Sequence, residues 1–255
     1  MTNNIIEVEN LTKKYGKLIA VDNISFDVQK GEVFGLLGEN GAGKTTTLEM
    51  IEGLRKPTDG EIKILNLDIK KNLNEIKQKI GVQLQSSAYF DDLKLREILE
   101  LFGGFYRTHI YPARLFKMVG LESKKEQYIR NLSGGQKQRF SIIASLVNDP
   151  EVVFLDEPTT GLDPIARRNT WDIISQIKKQ GKTIVLTTHY MEEAEMLCDR
   201  VAIMDKGKII AIDKPHKLIE RSHGPYKIEF VLSGENLKLI ENFMGDCQIE
   251  EGDIK

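Results

Sequence analysis

The chain has 255 residues, 29.0 kDa and 40% hydrophobic content. That is about 1.7 times a ~150-residue domain, enough to bury a core without disulfides or a structural metal. Thirty-six Lys and Arg against 38 Asp and Glu leave a net charge of −2 and a pI of 6.2, without the dense basic block of a non-specific nucleic-acid binder. Mean hydropathy is −0.30, and no apolar run approaches the ~18 residues of a spanning helix. The opening MTNNIIEVEN lacks the layout of a signal peptide, and Cys198 and Cys247 share no short motif, so a reducing, cytoplasmic setting is expected.

In chain order, the first ~65 residues read as strands and turns. Ile24–Val28 alternates apolar and polar residues, Lys30-Gly31 marks a turn, and Val33–Leu37 is a short buried run. A Gly-rich loop follows, then a segment with Leu48 and Ile51 on one helical face, then the turn Pro57–Gly60. Ile80–Leu84 reads as another strand. From about 93 to 129 the pattern turns helical: Leu95, Ile98, Leu99 and Phe102 recur at i, i+3, i+4 and i+7, and Leu115, Val119 and Leu121 continue the series after Pro112. Buried-strand runs return at Val152–Leu155, Ile184–Thr187 and Val201–Met204, with helical stretches between successive pairs. Asp205–Lys208 reads as a hairpin turn into Ile209–Ile212. Past about residue 220 the sequence is charged and mixed, with one candidate strand at Lys227–Leu232.

Gly38-Glu39-Asn40-Gly41-Ala42-Gly43-Lys44-Thr45 matches G-x-x-x-x-G-K-[ST] at every fixed position, between an apparent strand and an apparent helix. Glycines let backbone N–H groups converge on phosphate oxygens, and the helix start adds partial positive charge. Lys44 is then expected to reach the β- and γ-phosphates and Thr45 to ligate Mg²⁺. The apolar run Val152–Leu155 ends in Asp156-Glu157. Ligands sit beyond the carboxyl ends of parallel strands, which makes Asp156 a candidate Mg²⁺ holder and Glu157 a candidate general base. Leu132-Ser133-Gly134-Gly135-Gln136 opens a further helix. It is either a routine capped helix or a second anion site, completed by two-fold pairing that brings Ser133 and Gly135 to a partner's γ-phosphate. Gly38–Thr45, Gln85, Asp156-Glu157 and His189 each follow a strand-like run, so one parallel sheet would bring all four to one rim.

Together these segments resemble the nucleotide-binding subunit of ABC transporters over roughly residues 4–220, with LSGGQKQR (Leu132–Arg139) similar to that family's signature. The resemblance implies an α/β P-loop NTPase of ABC type: a parallel sheet core, an N-terminal antiparallel β-subdomain and a helical insertion at about 88–131. It leaves 221–255 as an extension of unknown role. It implies ATP and Mg²⁺ as ligands, Tyr15 stacking on adenine, and Thr46 beside Thr45 in the nucleotide contacts. It also implies Gln85 at Mg²⁺ or water, His189 at the γ-phosphate, and Thr160–Asp163 communicating across an ATP sandwich dimer. Each has a plainer reading: Tyr15 as a surface aromatic, Gln85 as a solvated loop residue, Asp163 as a helix N-cap ahead of Pro164, and His189 as structural.

Ser133 lies only 48 positions after Gln85, which leaves no room for the long coiled coils of the family's DNA-repair branch. A single cassette without membrane spans is expected to dock on separate permease subunits at the inner face of the cell membrane. It would pair with itself or with a paralogous ATPase, and bind no nucleic acid. TTGLDP (Thr159–Pro164) and THYMEEAE (Thr188–Glu195) are similar to the bacterial branch that exports drugs, antibiotics and polysaccharides. A soluble ABC-type ATPase with a regulatory role is the alternative.

Overall fold

The computed structural model describes residues 3–85 and 89–222. These fall in the compact unit Met1–Glu220, apart from Arg221 and Ser222, which belong to the second unit, Arg221–Lys255. The expected strand at Lys227–Leu232 lies outside the described residues.

The elements run β1 (Asn4–Tyr15), β2 (Leu18–Gln29), β3 (Val33–Leu37), α1 (Lys44–Ile51), β4 (Asp59–Ile64), β5 (Leu67–Asp68), α2 (Ile69–Lys77) and β6 (Ile80–Gln83). Then follow α3 (Leu95–Gly103), α4 (Pro112–Met118), two short 3₁₀ turns, α5 (Gly134–Ala144), β7 (Val152–Asp156), α6 (Pro164–Lys179), β8 (Thr183–Thr188), α7 (Met191–Leu197), β9 (Arg200–Asp205), β10 (Lys208–Asp213) and α8 (Pro215–Ser222). An antiparallel sheet has the order β2-β1-β4-β5, and a six-stranded sheet has the order β10-β9-β3-β8-β7-β6. The fold class is the one expected.

Three local differences separate the structure from the sequence reading. The six-stranded sheet is not wholly parallel, because β10 pairs antiparallel with β9 across the turn at Lys206 (φ 45°) and Gly207 (φ 81°), the left-handed pair of a two-residue hairpin. Helix α4 stops at Met118, before Val119 and Leu121, where Gly120 turns to φ 64° as helix-ending glycines do. Strand β6 ends at Gln83, one residue short of Leu84.

The central strands β3, β7 and β8 are buried along their whole length, as parallel strands covered on both faces must be. Their alternate residues feed two cores. Val33, Val153, Leu155, Ile184 and Leu186 pack with Ile98, Phe116, Phe140 and Ile174 on the helical side. Phe34, Leu36, Phe154 and Val185 pack with Val8, Ile62, Leu48 and Ile51 on the side of the antiparallel sheet. The helices at 95–131 thus share a core with the main sheet. Among the described residues no helix is long and apolar enough to cross a membrane.

Candidate nucleotide site

Four neighbouring strands, in the order β3-β8-β7-β6, deliver the candidate residues. The Gly38–Thr45 loop leaves β3, His189 follows β8, Asp156-Glu157 ends β7, and Gln85 lies two residues past β6. Parallel register points these ends the same way.

Close packing shapes the loop. A Cβ on Gly38 would lie 2.3 Å from the Met204 carbonyl oxygen, and one on Gly43 (φ 101°) 2.6 Å from that of Ala20, so neither position accepts a side chain. Glu39, Asn40 and Gly41 form the exposed rim, Ala42 is buried, and Thr46 is half-buried in the first turn of α1. No side chain caps α1 at Gly43, which leaves its first N–H groups for an anion. Lys44 turns back inside the loop: Nζ donates to the carbonyls of Gly38 at 2.8 Å and Glu39 at 3.1 Å.

The carboxylates stand opposite. Lys44 Nζ is 3.6 Å from Glu157 Oε1, and the two side chains are 4% and 5% exposed. Asp156 Oδ1 accepts from Thr45 Oγ1 at 3.3 Å and, by a short bond, from Thr187 Oγ1. The Thr187 hydroxyl in turn accepts from the Glu157 N–H at 2.9 Å, so one side chain holds both carboxyl residues. Burial pushes the Asp156 carboxyl above its usual range, against the bonds from Thr187 and Thr45 that favour its charged form. Glu157 Oε2 accepts from Thr160 Oγ1 at 2.9 Å and from Gln85 Nε2 at 3.4 Å. The His189 Nδ1 lies 3.6 Å from Glu157 Oε1, and the ring rests against Tyr190, centroids 4.0 Å apart. Glu157 itself has φ 46°, a left-handed backbone rare outside glycine and frequent where a site imposes it.

Lys44, Thr45, Asp156, Glu157, Gln85 and His189 thus form one cluster. Gln85 is bonded to Glu157, and among the described residues no hydrogen bond joins it to Thr45 or Asp156. Gln83, the last residue of β6, is buried and turns its amide to the Leu84 carbonyl. Tyr15, 41% exposed at the end of β1, has Lys13 Nζ and Arg55 Cζ at 5.2 and 5.6 Å from its ring centre. Ser133 caps α5, accepting from Gln136 N at 3.3 Å while Gln136 Oε1 accepts from Ser133 N at 3.0 Å. Ser133 is exposed, and nothing among the described residues bonds Ser133 or Gly135 to the Lys44 cluster. Asp163 caps α6 ahead of Pro164, accepting from the N–H groups of Ile165 and Ala166. Sequence reasoning missed the role of Thr187, for which a threonine pair closing an apolar strand just before His189 was the available signal, and it placed Thr160 only in the dimer-facing loop, not at Glu157.

The family assignment follows from this rim together with the match of residues 21–160 to the model of the ABC transporter family. The chain belongs to the ABC transporter family. Its cassette is the ATP-binding and ATPase part of such a system. It is 40% identical over 245 residues to the Nod factor export ATP-binding protein I of Ralstonia nicotianae, covering 94% of this chain and 76% of that one. It is 41% identical to the linearmycin resistance ATP-binding protein LnrL of Bacillus subtilis, covering 91% and 76%. Among solved structures, a dimeric ATP-binding cassette in a post-hydrolysis state with ADP and Pi matches with TM-score 0.74 and 28% identity, covering 82% of this chain and 98% of that one. The cbiO1 protein of Clostridium perfringens, part of an ABC transporter complex, matches with TM-score 0.76 and 29% identity, covering 86% and 91%.

The donors of this ABC cassette suit Mg²⁺. Thr45 and Asp156 place two hard oxygens together, and among the described residues no group of three His, Cys, Asp or Glu could cage a metal alone. Mg²⁺ prefers such sparse protein ligation, completing its octahedron with phosphate oxygens and water. A separate cleft of about 610 Å³, lined by Lys30, Glu32, Lys178, Asp199 and Arg200, starts from the other end of β3. Four of its charged groups pair with each other, Lys178 with Asp199 and Arg200 with Glu32.

Proposed function

We propose that this ABC ATPase binds ATP with Mg²⁺ between two copies, or between itself and a paralogous ATPase, and drives separate membrane subunits to export a substrate. The exposed capped start of α5, unconnected to the Lys44 cluster of its own chain, carries this reading. Two-fold pairing would present Ser133 and Gly135 to the γ-phosphate held by the other copy. The working cassette would span residues 4–220, with the helical insertion at 88–131 and the segment around Gln85 meeting the permease at the inner face of the membrane. Tyr15 would stack on adenine, and Gly38–Thr46 would wrap the phosphates. Export is favoured by the names of relatives 40% and 41% identical.

In the closed dimer, Mg²⁺ held by Thr45 and Asp156 with Gln85 nearby would offset charge developing on the phosphates. Lys44 would grip the β- and γ-phosphates. Glu157 would take the proton of the attacking water, with His189 placed between Glu157 and the γ-phosphate. Cleavage removes the bridging γ-phosphate and lets the dimer reopen.

Mixing tests the sharing of sites. Lys44→Ala and Ser133→Ala chains, each inactive alone, should regain part of the ATPase activity when combined, since one site per heterodimer is intact. Failure at every ratio, with mixing confirmed by mass spectrometry, rejects the shared site. Co-purification of a membrane protein from detergent extracts separates transport from a free-standing regulatory ATPase.

A further inference from the structure

A buried carboxylate next to the nucleotide site has no place in the chemistry above. Glu193, in the first turn of α7, is 1% exposed. Its Oε1 accepts from Thr159 Oγ1 at 2.7 Å and from Trp171 Nε1 at 3.1 Å. Thr159 is 1% exposed and lies two residues past Glu157; Trp171 is 8% exposed on α6. The loop between Glu157 and the Asp163 cap turns successive hydroxyls in opposite directions: Thr159 reaches Glu193, and Thr160 reaches Glu157 Oε2 at 2.9 Å. The helix that carries Glu193 begins at Met191, two residues after His189.

We infer that Glu193 is a positioning residue for ATP hydrolysis: its buried carboxylate ties the loop after Glu157 to the helix after His189 and so fixes the two side chains relative to each other. The physical case is constraint. Glu157 sits at φ 46°, a backbone that relaxes unless its surroundings over-determine it. Thr159 is the near anchor of the segment leaving that residue, and Asp163 is the far one. A carboxylate accepting two side-chain bonds away from water holds such an anchor more firmly than an exposed contact would. The same loop is the one expected to meet the partner, so motion there on dimer closure would pass through Glu193 to the start of α7 and His189. This inference rests on the proposed roles of Glu157 and His189.

The test uses the full chain with ATP and Mg²⁺, measuring kcat and KM separately and checking folding by near-UV circular dichroism. Thr159→Val removes only the donor hydroxyl, and it should lower kcat by about tenfold while KM for ATP stays within about twofold, because a 1 Å misplacement costs rate rather than binding. Glu193→Gln keeps an acceptor oxygen for both donors and should stay within about threefold of the parent, whereas Glu193→Leu should lose at least as much rate as Thr159→Val. In a Glu157→Gln background, Thr159→Val should have little further effect, since both act through one side chain. Unchanged kcat in Thr159→Val, a KM effect alone, or full additivity with Glu157→Gln overturns the inference. Should Glu193→Leu fail to fold, the Thr159→Val and Glu193→Gln results decide it. A Glu157→Gln chain with normal turnover would instead sink the catalytic reading of Glu157.

Discussion

Lys44 Nζ and Glu157 Oε1 stand 3.6 Å apart, almost closed to solvent. One residue is a candidate for gripping phosphate and the other for accepting a proton, and they form a buried ion pair. The pairing gives both removals a definite expectation.

Glu157→Gln leaves the size of the side chain unchanged but removes the proton acceptor. ATP turnover should fall by roughly 10²–10⁴, while nucleotide affinity holds or improves because Lys44 loses its competing carboxylate. Phosphate release and a nucleotide titration measure the two quantities. Near-normal turnover removes Glu157 from the base role.

Lys44→Ala removes the ammonium that donates to the Gly38 and Glu39 carbonyls. Charge-assisted bonds to phosphate are worth about 1.5–3 kcal/mol each, so affinity for MgATP should fall by about tenfold or more. Unchanged affinity in calorimetry contradicts the phosphate-loop assignment.

Thr187→Val conserves shape but removes the hydroxyl shared by Asp156 Oδ1 and the Glu157 N–H. A buried N–H left without a partner costs about 1–3 kcal/mol, which should show as a lower Tm. Asp156 also loses a bond that favours its charged form, so half-maximal activity should need more Mg²⁺. A Mg²⁺ dependence identical to that of the parent shows that Thr187 does not serve Asp156.

Glu52, at the end of α1, is 2% exposed with neither carboxylate oxygen hydrogen-bonded. Burial, with the nearby charges of Asp156 and Glu49, pushes its carboxyl from 4.5 up to about 8. Between those values the unfolded chain has released a proton that the folded chain keeps, so this group makes stability fall as pH rises through that window. Glu52→Gln should therefore match the parent near pH 4.5 and become progressively more stable than it as pH rises toward 8. A Tm difference that does not grow with pH rejects the raised carboxyl.

Local patterns made much of the site legible. The phosphate loop, the acidic pair after Val152–Leu155 and the Ser133 cap are contiguous motifs whose chemistry follows from residue type and short spacing. The sequence around Asp163 fits both a cap and a dimer-facing loop, and in the structure Asp163 caps α6. The bonding of Thr187 and Glu193 was not legible, because their partners lie 31 and 34 residues away and threonine or glutamate alone announces nothing.

By itself the sequence determined that strands end in a phosphate loop, a carboxylate pair, a glutamine and a histidine, since apolar periodicity and motif spacing are written along the chain. Only the tertiary structure decided that β3, β8, β7 and β6 are neighbours, that Glu157 takes a left-handed backbone, and that Thr187 joins both carboxyl residues. Strand order and buried hydrogen bonds between distant segments depend on which faces pack together, and that choice belongs to the whole core rather than to any stretch of it.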